Sequence, residues 1–397
     1  MRAGGGRSQI LLSVPGDGEL GGVSRGGVAV AGSLAQPSWH GGHAWVFLQY
    51  LLGFRKLGFD VLFLDRATPD GGITEDANRY LVSVMNRFGL ASDYCMLGSD
   101  GRPVAGIPRQ EALSRTRDSM FLLNVTGYLD DQELLAAARR RVYLDIDPGF
   151  AQMWRQLGLY DSFVGHDLFV TIGENIGRPG CRIPTCGLDW VTTRQPVVLD
   201  LWPALNHVGR SFTSVGAWRG PFAPVEYQGT RYGLRVHEFR KFVELPQTTG
   251  EDFELALNIH ETETTDLELL RRTGWRIIPP QTVAGDPISY RDYLGQSRAE
   301  FMVAKNMYVE THGGWFSDRS ACYLASGKPV LAQDTGIASL YPIGEGLLTF
   351  STLDEAAGGV ESITTHYARH SRAARELAEE LFDSDKVLTA LLEKIGD

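Results

Sequence analysis

The amino-acid sequence predicts an α/β protein with two Rossmann-like, doubly wound parallel-sheet domains that face a cleft and are followed by C-terminal helices. Short apolar runs alternate with helical segments in both halves of the chain, which is typical of parallel β-α-β units. The length of 397 residues favours more than one domain. A segment rich in proline, glycine and tryptophan, residues 177–203, interrupts the alternation and indicates an interdomain connection.

The first β-α-β unit consists of a strand at 27–31 (GVAVA), a helix at 44–57 and a strand at 61–64, and Gly58 ends the helix. We therefore expect an N-terminal domain over residues 27–190, preceded by a glycine-rich extension over residues 1–26. The same alternation continues with helices at 75–88 and 130–139 and with strands at 119–125, 141–146 and 168–172.

A second alternating series predicts a C-terminal domain over residues 211–370, joined to the first by a linker at 191–210. Residues 371–397 should form a terminal helix that packs back toward the N-terminal domain. The predicted strands of this domain are 212–215, 253–259, 276–278, 301–304 and 330–332, and its helices are 235–245, 266–273, 288–300, 354–364 and 368–394.

The composition excludes several classes of protein. With 43% hydrophobic and 22% charged residues the chain is not disordered, and its net charge of −10 argues against a nucleic-acid groove. No apolar run approaches the roughly 18 residues of a membrane span. The first 26 residues contain nothing like a signal-peptide core. The four cysteines lack paired zinc spacing, so we expect reduced thiols in a cytoplasmic protein whose partners are small molecules.

The sequence His40-Gly41-Gly42-His43 lies between the first strand and its helix. Paired glycines at a strand-to-helix turn let backbone amides approach a ligand, and an imidazole can take a proton from a hydroxyl. His43 is therefore the candidate base, and His40 a candidate acceptor contact. The alternative is a tight turn in which His43 caps or packs against the helix.

The segment 311–336 carries a Gly-Gly turn that includes Gly314, followed by a predicted helix. The positive end of the helix dipole and nearby hydroxyl and guanidinium groups suit a phosphate. We expect a nucleotide-sugar site here, although an ion pair between Asp318 and Arg319 that caps the helix is the alternative. The polar residues at the start of that helix are Ser317, Asp318, Arg319 and Ser320. The residues after the next strand are Asp334, Thr335 and Gly336, which could bind sugar hydroxyls or form an ordinary turn.

Two stretches carry a resemblance to a known fold family. The run GGHAWVFLQYLLGFRKLGFDVLFLD resembles the opening unit of GT-B glycosyltransferases, and SACYLASGKPVLAQDTG is similar to their donor-binding segment. The resemblance points to family 1/4-like proteins and assigns no subfamily. It departs from the pattern at Cys322, which stands where retaining members usually have a glutamate that holds the donor ribose. Retaining and inverting chemistry therefore both stay open.

The resemblance implies further donor contacts. The loop after the first strand of the second domain, with Gly216, Trp218 and Arg219, would approach the diphosphate, and Arg219 would stabilise the leaving phosphate. Lys305 would supply a second cation. The alternatives are a surface loop with a packed tryptophan, and a solvated lysine.

The acceptor would lie against the N-terminal domain, where the strand ends deliver Asn124, Glu174 and Asn175. The resemblance as a whole implies a metal-independent glycosyltransferase of hexosyltransferase type, with no cofactor and a nucleoside-diphosphate sugar as co-substrate. His43 would act as base in an inverting reaction, and the leaving phosphate would take the proton in a retaining one. A nucleotide-sugar epimerase and a bilobed binding protein are the alternatives.

One motif is a competing signal. Asp145-Ile146-Asp147 matches the Asp-x-Asp metal-diphosphate motif of the other large glycosyltransferase fold. That interpretation conflicts with the two-domain β-α pattern, and a strand end that faces the acceptor cleft is favoured instead.

Overall fold

The computed structural model describes residues 24–36, 39–67, 74–205 and 207–396, so the N-terminal extension lies almost wholly outside the described residues. Each half of the described chain builds one large sheet with helices around it. The predicted fold class, two doubly wound α/β domains, is confirmed. Among the described residues, no helix is both long enough and apolar enough to cross a membrane.

The N-terminal domain contains, within the described residues, an eight-stranded sheet in the order β4-β3-β2-β1-β5-β6-β7-β8. All neighbouring strands are parallel except β3 and β4. Its strands are β1 Gly27–Ala31, β2 Asp60–Arg66, β3 Tyr94–Leu97, β4 Pro103–Gly106, β5 Ser119–Val125, β6 Arg141–Asp145, β7 Leu168–Thr171 and β8 Trp190–Thr192. Its helices are α1 Gly41–Lys56, α2 Glu75–Arg87, α3 Arg109–Asp118, α4 Gln132–Ala137 and α5 Phe150–Gln156.

The C-terminal domain contains, in the same described part of the chain, a six-stranded parallel sheet in the order β13-β12-β9-β14-β15-β16 and a separate hairpin of β10 and β11. Its strands are β9 Phe212–Ala217, β10 Val225–Tyr227, β11 Thr230–Tyr232, β12 Phe253–Asn258, β13 Trp275–Ile278, β14 Ala299–Met302, β15 Val330–Gln333 and β16 Leu347–Phe350. Its helices are α6 Arg235–Phe239, α7 Leu245–Thr249, α8 Thr264–Arg272, α9 Pro280–Ala284, α10 Pro287–Gln296, α11 Asn306–Thr311, α12 Asp318–Ala325, α13 Leu353–Thr365, α14 Tyr367–Leu381 and α15 Ser384–Gly396.

Helix α1 lies between the two domains, which explains why its sequence is apolar on nearly every side. One face packs on the N-terminal sheet, and other faces meet α10 and α15. Two polar side chains of α1 bind backbone of the later chain: Trp45 Nε1 donates to the Pro287 carbonyl at 2.7 Å, and Gln49 Oε1 accepts from the Val198 amide at 2.8 Å. A helix with these neighbours fixes how the domains meet.

Several element boundaries differ from the sequence-based expectation. Helix α1 begins at Gly41, three residues before the expected start. The helix expected over 235–245 is instead α6, a 3-10 turn at Arg240–Phe242 and α7, which begins at Leu245. The short strands β3, β4 and β16 were not expected, because four-residue runs without clear alternation carry little periodic signal.

The end of the chain returns to the N-terminal domain. Lys394 Nζ on α15 donates to the Thr192 carbonyl of β8 at 2.7 Å, and the Arg140 guanidinium donates to the Ile395 carbonyl. Gly53 of α1 leaves the space in which the Leu388 side chain lies, since a Cβ there would be 2.5 Å from Leu388 Cδ1. These contacts attach α15 to the N-terminal domain.

Candidate functional site

A cleft between the carboxyl ends of the two sheets holds two adjoining cavities. The large cavity has a volume of about 930 Å³ and is lined by β6, α5 and the loop after β9. The small cavity has a volume of about 280 Å³ and is lined by the start of α1, the end of β9, α9, α10 and the start of α12. Such a crevice beyond the strand ends is where ligands bind in open α/β sheets. The residues that line both cavities, here called the neck, are His40, His43, Ile146, Asp147, Ala217 and Asn258.

His43 lies at the neck, and its environment keeps it neutral. Nε2 is 2.8 Å from the Ser33 carbonyl and 3.3 Å from the Ser33 hydroxyl, so it is the nitrogen that carries the proton. Burial lowers the pKa of His43 below its usual value. Nδ1 makes no hydrogen bond with any residue that the structure describes. A neutral imidazole whose Nδ1 has a lone pair can accept a proton from a hydroxyl.

The sequence predicted that the two glycines before His43 let backbone amides approach a ligand. In the structure the groups that approach these glycines belong to the protein itself. A Cβ on Gly41 would overlap the Asp286 carbonyl, and a Cβ on Gly42 would lie 2.8 Å from the ring of Tyr290. Gly42 also lines the small cavity. These glycines therefore let α1 and α10 meet, with His40 at the N-cap of α1 and exposed to both cavities.

Arg219 lines the large cavity but already has a partner. Its guanidinium forms an ion pair with Glu263, in which Nη2 donates to Oε2 at 2.9 Å, and the Arg219 side chain is 47% exposed. Trp218 is almost fully buried, packs on Phe239 and donates Nε1 to Asp266 at 2.8 Å. The Trp218 ring thus packs in the domain core, and the residue also lines the large cavity.

Lys305 joins the two domains. Its ammonium group donates to Asp147 Oδ1 at 2.6 Å, and Tyr308 donates its hydroxyl to the same oxygen. The Lys305 nitrogen also lies 5.3 Å from the ring centre of Phe150 and 5.1 Å from that of Phe222, which is a cation–π geometry. In this state Lys305 holds the neck carboxylate and does not line either cavity.

Arg319 forms a buried ion pair beneath the end of β9. Nε donates to Glu300 at 2.5 Å and Nη1 donates to the Val215 carbonyl at 2.9 Å. Nη2 has no hydrogen-bond partner in the described part of the chain, and Arg319 lines the small cavity. This amino group is therefore a buried, unsatisfied donor of a residue that lines the small cavity.

Arg235, at the start of α6, is a basic residue that the sequence analysis missed. Its guanidinium lies directly against Gly216, where a Cβ would clash with Nη1, and Gly216 lines the small cavity. Arg235 forms no ion pair and donates no side-chain hydrogen bond to any residue that the structure describes. Burial, and then the nearby Arg319, lower its pKa. A half-buried cation without a counter-ion at a strand end is a ready anion site.

The polar cluster at the start of α12 divides in the structure. Ser317 and Ser320 are buried, and Ser317 is the N-cap. Asp318 lines the small cavity, and burial raises the pKa of its carboxyl group. Cys322, in the next turn, is buried, and Gln49 Nε2 of α1 lies 3.8 Å from its sulfur. The position at which the resemblance would place a ribose-binding glutamate therefore lies inside the contact between the two domains.

The residues around the strand end of β15 build a turn that meets the N-terminal domain. Asp334 Oδ1 accepts the Gly336 amide at 2.9 Å, and Thr335 donates its hydroxyl to the Trp315 carbonyl at 2.6 Å. Asn175 donates Nδ2 to the Gly336 carbonyl at 3.1 Å. Gly314 has a left-handed φ of 74°, and a Cβ there would lie 3.1 Å from Asn175. Asn175 thus bridges the domains and is not placed in the cavities.

Two further candidates for acceptor contacts are occupied elsewhere. Asn124 is fully buried, and its amide bonds the Leu129 amide and carbonyl and His166. Glu174 accepts from Arg194 at 3.1 Å and from the Tyr341 hydroxyl, away from the two cavities. The sequence placed both at strand ends correctly, but their side chains hold loops and domain contacts together, so neither supports an acceptor role.

Asp145 is a buried carboxylate behind the neck. It accepts from Gln152 at 2.6 Å and from Thr171 at 3.0 Å, and burial raises its pKa to about 7. Among the described residues, no group of three His, Cys, Asp or Glu side chains could hold a metal ion. The Asp-x-Asp sequence therefore serves two separate protein contacts, one buried and one to Lys305.

The whole architecture is similar to solved glycosyltransferases. An alpha-glucosyltransferase in complex with UDP and a 13-mer DNA matches with a TM-score of 0.58 at 11% identity over 94% of this chain and 100% of that chain. AviGT4, a glycosyltransferase involved in avilamycin A biosynthesis, matches with a TM-score of 0.55 at 16% identity over 92% and 96%. Anabaena HepE in complex with UDP-glucose matches with a TM-score of 0.57 at 12% identity over 94% and 99%.

These similarities show a GT-B fold over almost the whole chain, as the sequence predicted. No protein-family model matches the chain, and no curated protein matches its sequence. The subfamily therefore stays unassigned.

Proposed function

We propose that this protein is a metal-independent glycosyltransferase that moves a sugar from a nucleoside-diphosphate sugar to a hydroxyl or amine group of an acceptor. The observation that carries the proposal is the unpaired guanidinium of Arg235 beside Gly216, at the end of the central strand of a GT-B fold. An unsatisfied cation at this strand end suits a diphosphate, which carries its charge on several hydrogen-bond acceptors.

The small cavity is the proposed donor site. Arg235 and the free Nη2 of Arg319 would bind the diphosphate, while the missing side chain of Gly216 lets the phosphate approach the backbone. Asp318 lines the same cavity and would accept a hydroxyl of the ribose or the sugar. Similar structures bind UDP or UDP-glucose, which supports this choice of ligand.

The large cavity is the proposed acceptor site, and the reaction would occur at the neck between the two. During transfer the bond from the sugar C1 to the diphosphate breaks, and a new bond forms to the acceptor oxygen or nitrogen. The guanidinium of Arg235 would stabilise the negative charge that grows on the leaving phosphate. In an inverting reaction Nδ1 of His43 would take the acceptor proton, and in a retaining reaction the leaving phosphate would take it.

Lys305 and Arg219 have supporting parts in this proposal. Lys305 and Asp147 join the domains across the neck, so the ion pair would favour the closed state in which water is excluded. Arg219 would contact the donor diphosphate only after its ion pair with Glu263 is broken. We also infer that the protein acts in the cytoplasm, which its four free cysteines support.

An epimerase of the same fold is the second candidate. It would need room for the donor alone, whereas the large cavity adds about 930 Å³ that opens onto the neck. This space favours a transferase. The deciding experiment incubates the protein with UDP-glucose and other nucleoside-diphosphate sugars and follows products by mass spectrometry. Transfer of the sugar to water or to an added acceptor, with release of the nucleoside diphosphate, supports the transferase, and an isomeric donor without release supports the epimerase.

A further inference from the structure

We propose that the acceptor is a molecule with a flat apolar body and a hydroxyl or amine group at one end, such as a phenol or a fused-ring compound. This inference rests on the proposed function, because it assigns the ligand class of the large cavity next to the donor site. It distinguishes an apolar scaffold from a carbohydrate acceptor, a choice that the amino-acid sequence does not make.

Three aromatic rings form a triangle in the large cavity. Phe150 and Trp154 on α5 come from the N-terminal domain, and Phe222 comes from the loop after β9 in the C-terminal domain. Ring centres lie 4.7 Å apart for Phe150 and Phe222, 5.3 Å for Trp154 and Phe222, and 5.9 Å for Phe150 and Trp154. Phe150 is buried, whereas Trp154 and Phe222 are half-buried and could stack on a flat apolar ring.

The wall around the triangle is also apolar. Phe47, Val125 and Ile146 line the cavity, and Phe47 and Val125 are buried from solvent. Tyr160 lies at the mouth, where it is 59% exposed although it lines the same cavity. Apolar surface therefore extends from the aromatic triangle to the opening.

Several polar groups in the wall of this cavity are already engaged by the protein, whereas His40, Asn258 and the Tyr160 hydroxyl form no side-chain hydrogen bond with a described residue. The Tyr143 and Ser162 hydroxyls bond one another at 3.1 Å, and the Thr126 hydroxyl donates to the Val125 carbonyl at 2.7 Å. His260 Nδ1 bonds Thr262 at 2.7 Å. A carbohydrate acceptor offers a hydroxyl at almost every carbon, and those that face the apolar part of the wall would lose their water without gaining a partner.

In the described part of the chain, the large cavity is lined by no unpaired arginine or lysine, which disfavours an anionic acceptor. Among the described residues that line it, Arg219 is the one Lys or Arg, and Glu263 neutralises it. Lys305 likewise neutralises Asp147. A nucleic acid or a phosphorylated acceptor would meet no uncompensated cation on this surface.

The orientation of the acceptor follows from where the polar neck lies. His43 and Asp147 stand at one end of the large cavity, adjacent to the donor site, and the aromatic triangle lines its wall. The reacting hydroxyl or amine must reach the neck. The acceptor would therefore be polar at one end and apolar along its body.

The test measures binding of 4-methylumbelliferone, a flat phenol, by equilibrium dialysis in the presence of saturating UDP. Maltotriose and a single-stranded DNA oligonucleotide serve as the carbohydrate and anionic probes. We expect the phenol to bind, and Phe222→Ser to weaken it about tenfold, since an aromatic pair with its buried area accounts for more than a kcal/mol. We expect neither of the other probes to bind.

Tyr160→Ser serves as a second variant, because an exposed side chain can be shortened without unfolding the domain. Its matched control is Leu159→Ser, which removes a neighbouring side chain that is 69% exposed and does not line the cavity. The inference predicts weaker phenol binding in Tyr160→Ser and unchanged binding in Leu159→Ser. Equal affinity in both variants and in Phe222→Ser would overturn it.

UDP binding to the same samples, measured by calorimetry, separates the two levels of the argument. If UDP binds and maltotriose or DNA binds in place of the phenol, the acceptor class is wrong and the glycosyltransferase proposal stands. If UDP and all the other nucleoside-diphosphate ligands fail to bind the wild-type protein, the proposed function fails and the acceptor inference fails with it.

Discussion

Replacing Arg235 with glutamine should abolish most of the affinity for UDP without loss of stability. In the structure the guanidinium has no ion-pair partner among the described residues and lies against Gly216, which lines the small cavity, although Arg235 itself lines neither cavity. A half-buried charge without a counter-ion destabilises the free protein, so its removal should leave the unfolding temperature unchanged or raised. Bound diphosphate would be the partner that the side chain lacks.

The expected loss follows from the type of hydrogen bond. Hydrogen bonds to charged groups contribute about 1.5–3 kcal/mol each, so one lost contact corresponds to about 10- to 150-fold weaker binding. Calorimetric titration of UDP into wild-type and Arg235→Gln protein at one fixed ionic strength gives this ratio directly. The salt concentration must match, because screening weakens every charge contact to the diphosphate.

Arg219→Gln is the matched control, since Arg219 is a second arginine of the same domain that faces the cleft. Its guanidinium is exposed and paired with Glu263, and such surface pairs contribute about 0–1 kcal/mol. We expect a change in UDP affinity below about fivefold. A larger loss in Arg219→Gln than in Arg235→Gln would refute the reasoning and restore Arg219 to the role that the sequence suggested.

The remaining predictions concern the packing and protonation of the cleft. Gly216→Ala should weaken UDP binding with little effect on the unfolding temperature, because the added Cβ displaces only the flexible end of Arg235. Gly41→Ala should lower the free energy of unfolding by about 1–3 kcal/mol, because its Cβ overlaps backbone of the other domain. Thermal unfolding and UDP titration separate the two variants, and equal unfolding temperatures would count against this explanation. Lys305→Met should open the cleft, because it leaves the Asp147 carboxylate without a counter-ion. Small-angle scattering should then show a larger radius of gyration. An unchanged radius would argue against a role of Lys305 in closing the cleft. If His43 is the base, it must be neutral, and burial lowers its pKa below the usual value of about 6.5. On acidification kcat/KM should therefore begin to fall only below about pH 6.5. A fall that begins above this pH would exclude His43 as the base.

The sequence was sufficient for the fold because both halves alternate apolar strands with helices, and that pattern needs only neighbouring residues. It also indicated the cleft, since the ends of parallel strands meet at one edge of a sheet. His43, Asp318 and Arg319 do line the cavities. The sequence therefore predicts the features that depend on neighbouring residues, namely the strands, the helices and the strand ends that form the cleft.

The partners of individual side chains could not be predicted in this way. Arg219 meets Glu263, 44 positions later, so its apparent freedom in the sequence disappears in the fold. Gly41 was expected to admit a ligand, but its space is taken by Asp286, far along the chain. Arg235 was hidden inside a predicted helix, and its proximity to Gly216 depends on the packing of α6 against β9.

A crystal structure of the protein soaked with UDP tests the central claim most directly. The account predicts the diphosphate in the small cavity against Gly216, within hydrogen-bond distance of the Arg235 guanidinium and of Nη2 of Arg319. The uridine should extend along the same cavity toward α9 and α10. A diphosphate bound to Arg219 with Arg235 still unpaired, or UDP found outside the cleft, would contradict the account.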